Sequence, residues 1–438
     1  MKPGRRRDAL TLIRSGPGRL ELHRRYSARL WPAMALIARV YRRTLARRPR
    51  IVAVVGSVGK TTTMRTTSIA LGRPVRKAAL LNANSHAAVG RALLGVRPWD
   101  RHAVFEVAIR DKGQMRIQAR TVNPDVVIVT AIARDHWQSF GTLEVTRDEK
   151  ADILRPLPPT ATVVANADDD HVRWMATQTR ARVILAGEAP DAEVRASGVA
   201  LNWPAGMRFT INIDGQARPV QTKLVGRHMV FPALAAITVA HLEGVALDEA
   251  VARVEAVAPT PGRMQLMPLP SGAFALRDDF KASEDAFESA FRALSEIPAP
   301  RKIGVIGEIS EATGRSAYRD VGRQAAFLDR VIFVGTGKNL QSFSAGAVEA
   351  GMARDRIERA HDAHEALEMV RIDLRPGDVL FIKGRWQQAL GRIGLALAGR
   401  DVQCRADPCP FKRMLCDVCP YLESRPPFTG LATPAAGR

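Results

Sequence analysis

The sequence predicts an α/β protein: a central P-loop domain on a doubly wound, mostly parallel sheet, then a C-terminal Rossmann-like α/β domain. Three observations carry this. The apolar, β-branched run Ile51–Val55 breaks at Gly56-Ser57-Val58-Gly59 and resumes as a polar helix start at Lys60-Thr61-Thr62-Thr63, which reads as a buried parallel strand, a glycine turn and a helix. Short apolar segments bounded by polar or turn residues then alternate with helical stretches, the pattern of a doubly wound sheet. Finally, Pro259-Thr-Pro-Gly262 interrupts that pattern and the alternation begins again beyond it, as expected of a linker between domains. At 438 residues the chain is too long for one ordinary core.

In chain order, residues 1–48 form a basic segment dense in arginine, in which Leu30–Tyr41 is apolar enough for a helix. Such a helix either lies on an anionic membrane surface or a partner protein, or packs on the neighbouring domain. Residues 49–258 form the central domain, with strands expected at Ile51–Val55, Ala103–Val107, Val126–Ile132, Thr162–Ala165 and Val183–Ala186, a small β-rich insert at Phe209–Leu224 and a helix at Phe231–Glu243. Residues 259–400 form the second domain, with strands at Lys302–Ile306, Arg330–Val334 and Asp378–Ile382 and helices from about Glu284, Arg319 and Gln387. Residues 401–438 are a tail that holds all four cysteines and ends in Pro/Gly-rich sequence, which reads as disordered.

The formal net charge is +21 at pH 7, a field that draws polyanions such as nucleotides, anionic lipid or cell-wall polymers. Aromatic residues make up only 5% of the chain and do not interleave with the basic ones, which disfavours nucleic acid. No stretch approaches the ~20 apolar residues of a membrane span. The start, Met1-Lys-Pro-Gly-Arg-Arg-Arg7, has the charge of a signal-peptide n-region, but Asp8 and Arg14 interrupt the apolar stretch such a peptide needs next, and no small-residue cleavage site appears. The expected location is the cytoplasm.

Strand, glycine turn and helix aim free backbone N–H groups at phosphates. Gly56, Ser57, Val58, Gly59, Lys60, Thr61 and Thr62 therefore form the candidate nucleotide cradle, with Lys60 reaching the β/γ-phosphates and the Thr61 hydroxyl on Mg²⁺. Glu106 closes a predicted strand, where ligands sit in such sheets, and can hold Mg²⁺; by itself a glutamate there is more often solvated or capping. Cys404-x₄-Cys409 and Cys416-x₂-Cys419 suit tetrahedral Zn²⁺ or an iron–sulfur cluster, a proline following Cys409 and Cys419; free or redox-active thiols are the remaining reading.

The short loop Gly-Ser-x-Gly-Lys-Thr-Thr resembles that of the Mur ligase superfamily, ATP-dependent amide-bond formers. Asp125–Lys150, with His136, Phe140-Gly141-Thr142, Glu144 and Lys150, resembles the central block of that family, and Asn166-Ala167-Asp168-Asp169 its Asn-x-Asp block. The resemblance implies that Glu106 and His136 help bind a second Mg²⁺ and that Lys150 is carbamylated and holds the same metal. A carbamate turns a repelled ammonium into an anionic oxygen ligand; a surface lysine paired with Glu149 or Asp152 is the alternative reading of Lys150. Asn82 to Gly90 resembles the asparagine-rich loop of the alanyl-alanine-adding branch, which puts Asn82 and Asn84 on the acyl substrate. Gly262-Arg263-Met264 resembles the junction whose arginine reaches ATP, Gly307–Glu311 a further family block, and Lys383-Gly384-Arg385 the strand-end motif that puts Lys383 on the substrate side.

Two places depart from the family. Met229 and Pro232 stand where relatives carry the asparagines that position adenine. Asp279–Phe287 keeps Asp279, expected on the nucleotide, and Asp285, but replaces neighbouring residues and brings in a new cation, Lys281. Fewer than 50 residues precede the P-loop strand, too few for the family's N-terminal nucleotide-sugar domain.

The resulting expectation is an ADP-forming, ATP- and Mg²⁺-dependent carboxylate–amine ligase working through an acyl phosphate on a cell-wall-precursor-like, amino-acid or peptide substrate. A polyglutamate-synthase-type enzyme and a non-catalytic nucleotide-binding module are the alternatives.

Overall fold

The computed structural model describes residues 31–73, 86–134, 137–409, 411 and 414–424. Asn82, Asn84 and His136 lie outside the described residues, as do the last 14 of the tail.

The first body runs α1 (Trp31–Arg43), β1 (Arg50–Val55), α2 (Lys60–Ala70), α3 (His86–Leu94), β2 (His102–Glu106), α4 (Gln114–Val122), β3 (Val126–Val129), α5 (Trp137–Phe140), α6 (Leu143–Ala151), β4 (Thr162–Asn166), α7 (Asp170–Ala176), β5 (Arg182–Gly187), β6 (Val194–Asn202), β7 (Gly206–Ile213), β8 (Gln216–Gln221), α8 (Val230–Leu242) and α9 (Leu247–Glu255). Its eight strands lie in the order β2-β1-β3-β4-β5-β6-β7-β8. Strands β2 to β6 pair in parallel and the last two are antiparallel.

Alternation along β1 explains the layers. Val52 and Val54 face α2, α8 and α9; Ile51, Ala53 and Val55 face α1, α3, α4, α6 and α7. A strand buried on both faces is apolar throughout, which is why Ile51–Val55 is legible as one. The expected β-rich insert is instead the continuation of this sheet, because β6 pairs in parallel with β5 through Ala186 and Val194. Small residues in β6, Ala196-Ser197-Gly198, hide its period.

The second body follows with β9 (Gln265–Pro268), β10 (Phe274–Asp278), α10 (Glu284–Ser295), β11 (Lys302–Ile306), α11 (Arg315–Gln324), β12 (Arg330–Val334), α12 (Lys338–Glu349), β13 (Ile357–Ala360), α13 (Ala363–Arg371), β14 (Val379–Lys383) and α14 (Gly391–Leu397). The order is β13-β12-β11-β14-β10-β9, parallel except for β9 against β10. Phe291, Phe333, Phe343 and Phe381 fill the core on one side; Val305, Ile332, Val334, Leu380 and Ile382 fill the other.

No helix among the described residues is long and apolar enough to cross a membrane. Helix α1 packs on the first body through Ala35, Ala38 and the buried Arg42, whose guanidinium bonds Asp125 and the Ala46 carbonyl. Its other face presents Leu36, Ile37 and Val40 outward.

Candidate active site

The site forms where β1, β2 and β3 end side by side. The chain leaves β1 through Gly56 at φ +142°, where a Cβ would lie 2.0 Å from the Thr130 hydroxyl; only glycine fits so close an approach. Thr130, just past β3, bonds the carbonyls of Val58 at 2.6 Å and Val55 at 3.2 Å, and Ser57 N–H donates to the Ala131 carbonyl. The loop is thereby tied to β3 and opens into α2 at Gly59, in a left-handed conformation. The Lys60 ammonium donates to the carbonyls of Gly56 and Ser57, each at 2.8 Å. Its charge thus sits over the loop, beside the N-terminal end of the helix, where anions are favoured.

Thr61 Oγ1 donates to Glu106 Oε2 at 2.6 Å. The parallel register of β1 with β2, Val54 opposite Glu106, produces this meeting. Thr61 is 5% exposed and Glu106 9%, so two oxygens converge at one nearly buried point at the strand ends. That donor set fits Mg²⁺, which takes oxygen ligands.

Lys150 stands at the C-terminal end of α6. Gly141, at φ +76°, turns the chain and Thr142 caps the helix by accepting from Val145 N–H. The Lys150 side chain is 2% exposed, so it is not the surface lysine that its neighbours Glu149 and Asp152 suggest. The block from Asn166 is architectural: Asp168 accepts from the amides of Glu188 and Ala189, and Asp169 caps α7 and accepts from Ile132 N–H.

The second body supplies cations across the junction. Lys281 Nζ donates to the Ser57 carbonyl at 3.1 Å, so the residue that departs from the family pattern lies on the phosphate loop itself. Arg263 stacks over Phe280 at 4.8 Å. Burial lowers the Arg263 pKa, while Glu106 and Asp278 attract its charge. The next residue, Met264, has φ +44°, an uncommon conformation for a side chain of its size; the Asp278 carboxylate accepts from its N–H and its side chain is buried. Lys383 is fully buried, pairs with Asp278 and donates to the Lys281 carbonyl. It is expected on the substrate side, and here it pins the loop that carries Lys281. Burial pushes its pKa down, against the pull of Asp278.

Burial raises the Asp279 carboxyl and Arg277 pulls it back. Arg277, unremarked in the sequence, donates to Asp279, Gln265 and Asp417. An arginine in mid-strand reads as solvent-facing; its partners lie 2, 12 and 140 residues away. Thr130 and Arg134 carry no sequence signal either. Arg134 ties the bodies together through Glu284 and Asp285. Met229 and Pro232, at the expected adenine positions, are buried: Met229 joins the core of the second body, and Pro232 sits in the first turn of α8, where its missing N–H costs nothing.

Residues 54–240 match the family profile "Mur ligase middle domain" and residues 262–386 match "Mur ligase, glutamate ligase domain". The chain is 30% identical over 377 residues to the UDP-N-acetylmuramoyl-tripeptide--D-alanyl-D-alanine ligase of Mycobacterium tuberculosis (strain ATCC 25618 / H37Rv), covering 80% of this chain and 73% of that protein. Among solved structures, MurF from Acinetobacter baumannii superposes with a TM-score of 0.73 at 22% identity, over 84% of this chain and 81% of that one. Mycobacterium tuberculosis folylpolyglutamate synthase complexed with ADP gives 0.64 at 16% identity, over 85% and 95%. The chain belongs to the Mur ligase family, the ATP-dependent, ADP-forming ligases that make peptide bonds.

Proposed function

We propose that this ligase activates a peptide-type carboxylate, of the kind found in cell-wall precursors, and joins it to the amino group of an amino acid or dipeptide. The observation that carries the reading is the meeting of Thr61 and Glu106 at 2.6 Å beneath a phosphate loop that Lys281 reaches from the other body.

In this reading Lys60 and the amides of residues 57–62 cradle the ATP phosphates, and Lys281 and Arg263 approach from the second body. Thr61 and Glu106 would hold one Mg²⁺; Glu106, with His136 and a carbamylated Lys150, would also help hold a second. Bound Mg²⁺ supplies positive charge to the phosphate oxygens. Lys150 is 2% exposed, so its side chain is directed into the protein rather than to solvent, as a metal-holding carbamate requires. The acid's carboxylate oxygen attacks the γ-phosphorus, giving an acyl phosphate and ADP. The amine then attacks the acyl carbon, phosphate departs with that oxygen, and the amine loses its proton. Catalysis is positioning and charge neutralisation, and closure of the two bodies about Pro259–Gly262 would exclude the water that hydrolyses an acyl phosphate. Asp279 and Asn82/Asn84 are assigned to the nucleotide and acyl sides.

The test is release of phosphate from ATP by the purified chain. Dependence on both an acid and an amine supports the ligase reading; ATP binding without turnover under any pairing supports a binding module. Repeated addition of glutamate to one acceptor would identify the polyglutamate-type reading. The outward Leu36, Ile37 and Val40 on α1, close to Arg39 and Arg43, suit an anionic bilayer surface; failure of the chain to co-sediment with phosphatidylglycerol vesicles would remove that assignment.

A further inference from the structure

The four cysteines, spread over 16 residues of tail, line one small cavity together with Arg392, Ala406, Phe411, Met414 and Leu422. They are unpaired thiols. Backbone hydrogen bonds from Phe411 and Tyr421 reach the Cys409 and Cys419 sulfurs, each from two residues on. Arg392, 7% exposed, donates from Nη2 toward Cys404 Sγ at 3.2 Å and from Nη1 to the Ala406 carbonyl at 2.9 Å. Four sulfurs, amide donors aimed at two of them and one buried guanidinium thus converge on one space, the donor pattern that surrounds metal-bound sulfur.

Spacing decides what they hold. A single Zn²⁺ with Zn–S near 2.3 Å draws its four sulfurs to about 3.8 Å from one another. Among the described residues, the group of potential ligand atoms that all lie within 4.8 Å of one another is His361, Asp362 and Asp407, and no three cysteine sulfurs meet that distance. The sulfurs surround a space that admits a water-sized sphere. That fits a multinuclear core, whose cysteines bind different irons, better than one ion.

The tail is fastened to the junction between the bodies. Asp417, between Cys416 and Cys419, accepts from both terminal nitrogens of Arg277 at 2.9 and 3.0 Å. Arg277 is fully buried and gives its other N–H groups to Asp279 and Gln265; Gln265 Oε1 in turn accepts from Gly262 N–H at 3.1 Å. Room for the guanidinium comes from Gly391 and Gly394 of α14, where a Cβ would lie 2.4 and 2.7 Å from Arg277 atoms.

We propose that Cys404, Cys409, Cys416 and Cys419 ligate a cubane-type iron–sulfur cluster, and that this cluster holds Asp417 on Arg277 and so fixes the junction on the nucleotide side. Its role is structural, and no electron transfer is invoked. The cluster assignment is independent of the ligase reading; only the effect on the nucleotide rests on it.

The experiment is anaerobic purification of the full chain from cells supplied with both iron and zinc, followed by metal and sulfide analysis. About four irons and four sulfides per chain with broad absorption in the visible, lost in Cys416→Ser and Cys419→Ser, is the expected result. One zinc per chain without iron, or no metal, overturns the assignment. Asp417→Asn, which leaves all four sulfurs, retains the iron and weakens ADP binding about tenfold, the scale of one charged hydrogen-bonded contact. Unchanged ADP affinity with iron retained overturns the link to the junction and leaves the cluster standing.

Discussion

Replacing Thr61 by valine keeps the shape of the side chain and removes one oxygen. In the structure that oxygen donates to Glu106 at 2.6 Å, with both residues under 10% exposed. A hydrogen bond to a charged group contributes about 1.5–3 kcal/mol. For a body of roughly 200 residues, each kcal/mol corresponds to a Tm change of about 2–4 °C, so Thr61→Val melts about 3–12 °C lower. The effect on catalysis is larger, because the same oxygen is the proposed inner ligand on the phosphate side. A fall in kcat/KM for ATP of at least about 100-fold, near 2.7 kcal/mol of transition-state stabilisation, is expected. Thr61→Ser, which restores the hydroxyl, stays within about tenfold of the parent. The assay is coupled ADP release with saturating acid and amine. Thr61→Val within threefold of the parent enzyme would refute the argument that this hydroxyl and Glu106 share an ion.

Other perturbations probe separate parts of the structure. Lys150→Ala loses nearly all turnover, and millimolar acetate or formate restores part of it by supplying the missing oxygen ligand; no restoration by any short carboxylate would count against the carbamate. Lys281→Met raises KM for ATP about tenfold through loss of a cation beside the phosphate loop, whereas an unchanged KM would remove Lys281 from the site. Gly346→Ala forces a Cβ to 1.9 Å from the Arg319 carbonyl, where α12 crosses α11, so the variant melts several degrees lower with its KM for ATP intact; a parental melting curve would show that the helices can separate freely. The Glu243 carboxyl is raised by burial but lowered more by hydrogen bonds from His102 and Arg50, leaving it at about 2 against an ordinary 4.5. Its stabilisation is full above about pH 4.5 and lost as pH falls toward 2. Glu243→Gln therefore flattens the Tm profile across that window, and two parallel acid profiles would exclude Glu243 as a source of acid sensitivity.

How much the chain reveals depends on how locally each feature is specified. Strands β11 and β12 fall on their expected residues, because they are apolar runs between turn signals. β13, Ile357-Glu358-Arg359-Ala360, is a charged edge strand without the apolar run that a buried strand shows, and β9 is the antiparallel edge; neither announces itself. The phosphate loop is contiguous, so its seven residues could be read directly. The supports of the site are not contiguous. Thr130 depends on β3 lying beside β1, and Lys281 looks like a loss of family character until the fold brings it to Ser57. Arg277 shows the same limit most clearly, since its burial is intelligible only once Asp417 has returned from the far end of the chain.

The central claim is that the cradle at Lys60, Thr61 and Glu106 serves phosphoryl transfer to a carboxylate, and oxygen tracing tests it most directly. An acid substrate labelled with ¹⁸O in its carboxylate is incubated with ATP and amine, and the released phosphate is analysed by mass. Transfer of one labelled oxygen into phosphate for each bond formed is the predicted result, since the oxygen that attacks the γ-phosphorus leaves with it. Product formation with unlabelled phosphate would contradict the account.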